Sequence, residues 1–177
     1  MKMKTLRFFI LLLSVLSLAS CTASRKALAD KQTLVWRYEV EPTTGQAAQG
    51  SVLVKVWSYS KSRYVATTQA GKNAVHGILF KGVSALNDGN VRIPMQRPIV
   101  TDLNAEVAYN DYFKDFFRDG GKYQKYVNFI NGGLPDPGDI VKIRKEYKIG
   151  MTVSVSKDAL RKEMEEAGVV KRLGAGF

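Results

Sequence analysis

The chain has 177 residues, 27 of them Lys or Arg and 16 Asp or Glu, for a net charge of +11, with one histidine and one cysteine. A lone cysteine excludes an internal disulfide framework, and a lone histidine excludes multi-histidine metal sites. The length suits one domain, large enough to bury about two-thirds of its unfolded surface without such staples.

Lys2, Lys4 and Arg7 open the chain without an acid, and Phe8 to Leu18 is apolar except for Ser14 and Ser17. This is the layout of a secretory signal. The apolar run falls well short of the ~20 residues a permanent spanning helix needs. It ends in Leu18-Ala19-Ser20-Cys21, which resembles the lipobox of bacterial lipoproteins: an aliphatic residue, two small residues, then cysteine. The resemblance implies cleavage between Ser20 and Cys21 and a diacylglyceryl group on the Cys21 sulfur, with further acylation of the new amino group. Several acyl chains hold a protein to a membrane where one does not. The expected organisation is a signal peptide at 1–20, a lipidated tether at 21–32 and a domain at 33–177.

Three of the bases and none of the acids precede Cys21, so the expected mature chain of 157 residues carries +8. Excess positive charge favours polyanionic neighbours. Export makes anionic lipid, lipopolysaccharide phosphate or peptidoglycan carboxylate the accessible ones, and no nucleic-acid partner is expected. Thr22 to Gln32 reads as a short polar tether whose Arg25-Lys26 pair would sit against anionic headgroups. It lacks the acidic cluster that resembles a surface-export signal in some bacterial lipoproteins, which favours an outer-membrane anchor facing the periplasm.

Leu34, Trp36, Tyr38 and Val40 alternate with Arg37 and Glu39, and Val52, Val54 and Val56 resume the pattern after a polar connection at Pro42 to Gly50. Two half-buried strands joined as a long-looped hairpin follow. From Ser62 the period changes: Ala66, Ala70, Ala74 and Ile78 are four apart, predicting a helix with a small-residue face that stops at Gly82. Val83 to Asp102 holds Asn87-Asp88-Gly89-Asn90, Pro94 and Pro98 and reads as an irregular connection with at most one short extended piece.

Tyr109, Tyr112, Phe113 and Phe116, then Tyr123, Tyr126, Val127 and Ile130, predict two short amphipathic helices separated by Gly120-Gly121. Val141 to Val155 alternates cleanly and is either one strand bent at Gly150 or a hairpin around Lys145-Glu146. A last helix follows Ser156, read as its N-cap, with Asp158 in the first turn and Gly168 at the end. The fold class expected from this order is α+β: an antiparallel or mixed sheet of about three to five strands, covered by helices, in a single domain.

Few residues bear recognisable chemistry. His76 stands in no motif with a serine or cysteine nucleophile and reads as a structural or surface histidine. Asp111, Asp115 and Asp119 share a helical face, but Lys114 and Arg118 interleave with them, the mark of a solvated face rather than a metal site. The glycine pairs match no phosphate loop. The aromatic segment reads as core. Its alternative is a surface for a partner protein or sugar, with Tyr64, Tyr109, Tyr112 and Tyr123 as first candidates because each has a water-tolerant tip.

Beyond the lipobox, Val54-Lys55-Val56-Trp57-Ser58-Tyr59 followed by Ala66, Ala70 and Asn73-Ala74-Val75 looks like the strand-then-alanine-helix pattern of small envelope lipoproteins. Those accompany curli-type secretion or flagellar assembly. The resemblance covers about a quarter of the chain and implies an accessory role in assembling an outer-membrane structure. The leading expectation is thus a non-catalytic envelope lipoprotein that binds another envelope protein, with no cofactor besides the lipid on Cys21. A second is a binding module for an anionic cell-wall or lipopolysaccharide ligand, and a third is an envelope hydrolase built on His76 and the aspartates.

Overall fold

Val54, Val56, Ile149, Met151, Val153 and Val155 all point to one side of a sheet and are buried there, because alternate residues of a strand face the same way. A computed structural model describes residues 24–172. The signal segment, the lipobox with Cys21, and the last five residues lie outside the described residues. The described chain runs α1 (24–32), β1 (Thr33–Pro42), β2 (Val52–Ser60), α2 (Thr67–His76), β3 (Leu86–Asp88), β4 (Val91–Ile93), α3 (Ala105–Ala108), α4 (Asn110–Phe117), β5 (Val127–Phe129), β6 (Ile140–Ile143), β7 (Glu146–Val155) and α5 (Lys157–Glu166). It is the expected single α+β domain. The five-stranded sheet is antiparallel throughout, in the order β1-β2-β7-β5, with β6 also paired to β7.

The alternation at 141–155 resolves as a hairpin. Ile143 pairs with Glu146 across the two-residue turn Arg144-Lys145, and Arg144 takes the left-handed conformation such turns use (φ 55°). Long β7 then serves as the central strand, paired with β2, β5 and β6. Edge strand β1 is irregular. Its register shifts between Thr33 and Tyr38, and Trp36 inside the shift has φ 55°, a bulge that re-aims the indole out of the ladder.

Helix α2 crosses β1, β2 and β7 on the buried side. Ala70 and Ala74 are fully buried, and their small size lets the axis approach the sheet. Just beyond it Gly77 completes the approach, since a Cβ there would lie 2.5 Å from Val40 Cγ2. The helix continues as a wide π turn over Gly77–Lys81 that buries Ile78 and Leu79, and Gly82 closes it in the left-handed region (φ 72°). Each fully buried Val, Leu or Ile contributes about 1.5–3 kcal/mol. One polar link crosses this core: Asn73 Nδ2 donates to Ser58 Oγ at 2.9 Å, and Gln69 Nε2 donates to Asn73 Oδ1 at 2.8 Å.

Several expectations need correction. The segment after Gly120-Gly121 is a single 3-10 turn, Lys122–Tyr126, followed by β5, because Val127 and Phe129 pair with Val155 and Val153. The connection expected to hold one short extended piece at most holds two, paired as the β3–β4 hairpin that turns at Gly89-Asn90. Ser156 makes no capping hydrogen bond; the start of α5 is held instead by Ser156 N–H to Tyr126 O and Asp158 N–H to Gly50 O. Residues 24–32, read as part of a tether, form α1. Its buried Ala29 carbonyl accepts from Thr33 Oγ1, which in turn accepts from the Ala66 amide.

Candidate functional site

Three places gather side chains that core packing does not consume. The first is the face around α1. The chain doubles back beside this helix, with the Lys61 amide donating to Gln32 O, and this brings the turn at Arg63-Tyr64 and the bend at Gly133-Leu134-Pro135 against it. Together they enclose a cleft of about 530 Å³, floored by Ala29, Val65 and Met151 and rimmed by Arg25, Lys26 and Arg63. Arg25 lies over the Tyr64 ring at 6.0 Å. Among the described residues none of these three cations is in an ion pair, whereas Lys55, Lys72, Lys122 and Lys148 each are. Leu134, 71 % exposed, stands on the same rim.

The second is His76, at the C-terminal end of α2 in a ring of aromatics. Trp36 and Phe80 each lie 4.7 Å from it, and Tyr38 and Phe117 lie within 6 Å. Nε2 is 3.1 Å from Glu106 Oε1 and Nδ1 is 2.5 Å from the Tyr38 hydroxyl. A carboxylate can only accept, so Nε2 carries the proton, and the bare Nδ1 accepts from Tyr38. Burial holds the His76 pKa below its ordinary 6.5 against the opposing pull of Glu106. Burial, reinforced by Glu106, also pushes the Tyr38 hydroxyl far above its usual value and keeps it protonated. Both imidazole nitrogens are thereby engaged.

The third is the segment bearing Glu106. As α3 points that carboxylate at His76, it leaves Val107 80 % exposed, and Leu103 just before it is 97 % exposed. These two exposed apolar residues, four apart, flank Glu106, which reaches His76, and the half-exposed indole of Trp36 packs on the same imidazole at 4.7 Å.

The four tyrosines separate. Tyr64 and Tyr109 are exposed, Tyr64 on the α1 cleft and Tyr109 donating to Gly168 O at 2.8 Å. Tyr112 is half-buried and donates to Glu163 Oε1 at 3.1 Å. Tyr123 is 2 % exposed and therefore drops out as a partner contact, because the 3-10 turn directs its ring into the core beside Phe117. Asp111 and Asp119 reach into solvent and pair with Lys114 and Lys72. Among the described residues no three His, Cys, Asp or Glu side chains cluster as metal ligands, and no helix is long and apolar enough to cross a membrane.

Sequence reasoning missed Arg63, Leu134, Leu103 and Val107. The spacing of Leu103 and Val107 among Asp102, Asn104 and Glu106 is a one-turn amphipathic signal. It is too short to register beside the longer helices. No protein-family model matches the chain, and neither does any curated protein or solved structure.

Proposed function

We propose that this protein is a lipid-anchored envelope protein, held through Cys21 to the periplasmic side of the outer membrane, that serves as a non-catalytic partner of a second envelope protein. The observation that carries the reading is the Leu18-Ala19-Ser20-Cys21 sequence at the end of a signal-like apolar run, holding the only cysteine of the chain. Leu103 and Val107, four apart and both largely exposed on either side of the Glu106 that reaches His76, support the partner surface, since exposed apolar residues that cluster mark contact sites. The non-catalytic reading is supported by the engagement of both nitrogens of the sole imidazole.

Two measurements test it. Growth with a labelled fatty acid should label the chain, and Cys21→Ser should abolish the label and release the protein from membranes; membrane retention unchanged by the substitution defeats the anchor. A photo-crosslinking residue at Val107 should then capture one defined envelope protein, while the same residue at exposed Lys142 should not. Recovery of only abundant bystanders from both positions defeats the partner reading.

A second reading, recognition of an anionic cell-wall or lipopolysaccharide group, is favoured by the +8 charge of the mature chain. Salt-sensitive retention of the domain on purified sacculi tests it.

A further inference from the structure

We infer that the α1 face is a membrane-docking surface whose cleft receives the headgroup of an anionic glycerophospholipid. The inference rests on the reading of Cys21 as the lipid-bearing residue, and it deepens that reading by assigning the orientation of the domain on the bilayer.

Charge is the first argument. Arg25, Lys26 and Arg63 converge on one cleft whose lining holds a single carboxylate, Asp30. None of the three is ion-paired among the described residues, so these like charges repel one another, and a phosphate among them removes that repulsion. Lys31 and Lys61, both exposed, lie where the end of α1 meets the chain leaving β2, and they extend the basic surface.

The second argument is the apolar component. Leu134 and Tyr64 stand on the rim beside the cations, above a floor of Ala29, Val65 and Met151. A Leu side chain suits the acyl boundary and a Tyr ring suits the headgroup layer. Cations ringing an exposed leucine and tyrosine match the layering of a bilayer surface better than they match a soluble polyanion.

Reach is the third. Cys21 precedes residue 24, the first described residue of α1, by three positions, a span of at most about 10 Å. A lipid on Cys21 would therefore keep α1 within headgroup distance of the bilayer. The Ala29–Thr33–Ala66 hydrogen bonds tie α1 to the domain, so the cleft comes to the surface along with the helix.

The experiment uses the chain from residue 21 onward with Cys21→Ser, so that no acyl group contributes. Its sedimentation with vesicles of equal parts phosphatidylglycerol and phosphatidylcholine is compared with that on phosphatidylcholine alone. Binding to the anionic vesicles only, weakened by salt, is expected. The combined Arg25→Ala, Lys26→Ala and Arg63→Ala variant should lose about a hundredfold in affinity, while Lys142→Ala, Lys145→Ala and Lys162→Ala together should lose little. Leu134→Glu, at an exposed position that leaves the core intact, should weaken binding as well. Equal binding to both vesicles, no binding to either, or equal losses in the two triple variants overturns the inference. Fatty-acid labelling of Cys21 is read separately: vesicle binding without labelling removes the anchor and keeps the surface, and labelling without vesicle binding does the reverse.

Discussion

The Tyr38 hydroxyl lies 2.5 Å from His76 Nδ1, joining an edge strand to the end of the helix that crosses it. The bond fixes the neutral tautomer of His76, with Nε2–H toward Glu106. Because burial lowers the folded-state pKa of His76 below 6.5, the unfolded chain takes up the proton first. Stability is thus full above about pH 6.5 and declines as pH falls from there through the folded value. His76 is the only histidine, so its imidazole NMR signals identify themselves. They should titrate below 6.5, and Glu106→Gln should lower the midpoint further. A midpoint above 6.5 contradicts the buried, neutral ring.

Glu163 gathers three donors: Lys122 Nζ at 2.7 Å, Tyr126 at 2.9 Å and Tyr112 at 3.1 Å. Burial pushes its pKa up, but these hydrogen bonds outweigh burial and hold it below the ordinary 4.5. Its contribution is therefore present above that value and lost as pH falls through the lower folded one. Glu163→Gln should cost about 1–2 kcal/mol in urea denaturation at neutral pH, with the gap to the native protein closing in acid. A gap independent of pH would show that the carboxylate charge is not the source.

Trp57 rests flat on Gly150 across the open face of the sheet, and a Cβ on Gly150 would lie 2.9 Å from Cζ3 of the ring. Gly150→Ala should lift the indole, breaking its Nε1–H bond to Glu41, and cost about 1–3 kcal/mol. In a Trp57→Leu background the same substitution should cost much less. Equal costs in the two backgrounds would mean that ring and glycine do not interact.

Asn73 is fully buried between Ser58 and Gln69. Asn73→Leu leaves both partners without their bonds inside the core and should destabilise by about 1–3 kcal/mol. Simultaneous Ser58→Ala should recover part of that loss, measured as a coupling in denaturant melts.

The elements that read correctly from sequence are those whose pattern and packing agree. Ala70 and Ala74, four apart, lie on the buried side of α2, and Val52, Val54 and Val56 line one side of β2. The failures have a common physical cause. Tyr123 and Tyr126 have helical spacing, yet the pairing of Val127 with Val155 pulls the chain into a strand before a helix can form. Helix α1 has the composition of a good helix former but buries only Ala29 among its described residues, too little to show a period. Val141 to Val155 alternates equally well through a bent strand or a hairpin, because both keep the period of two. The α1 cleft joins segments from three distant parts of the chain, so no local pattern announces it.

The left-handed Trp36 in the first strand carries a consequence for crowding. Strand β1 lies at the end of the sheet with one side unpaired among the described residues, and a ten-residue flat edge is a template on which another chain could zip. The shift between Thr33 and Tyr38 interrupts the row of amides and carbonyls and sets the indole against His76 and Phe117. Neighbouring copies thus meet a broken edge rather than a continuous one. The bulge that brings Trp36 to His76 also keeps the domain from growing into a shared sheet.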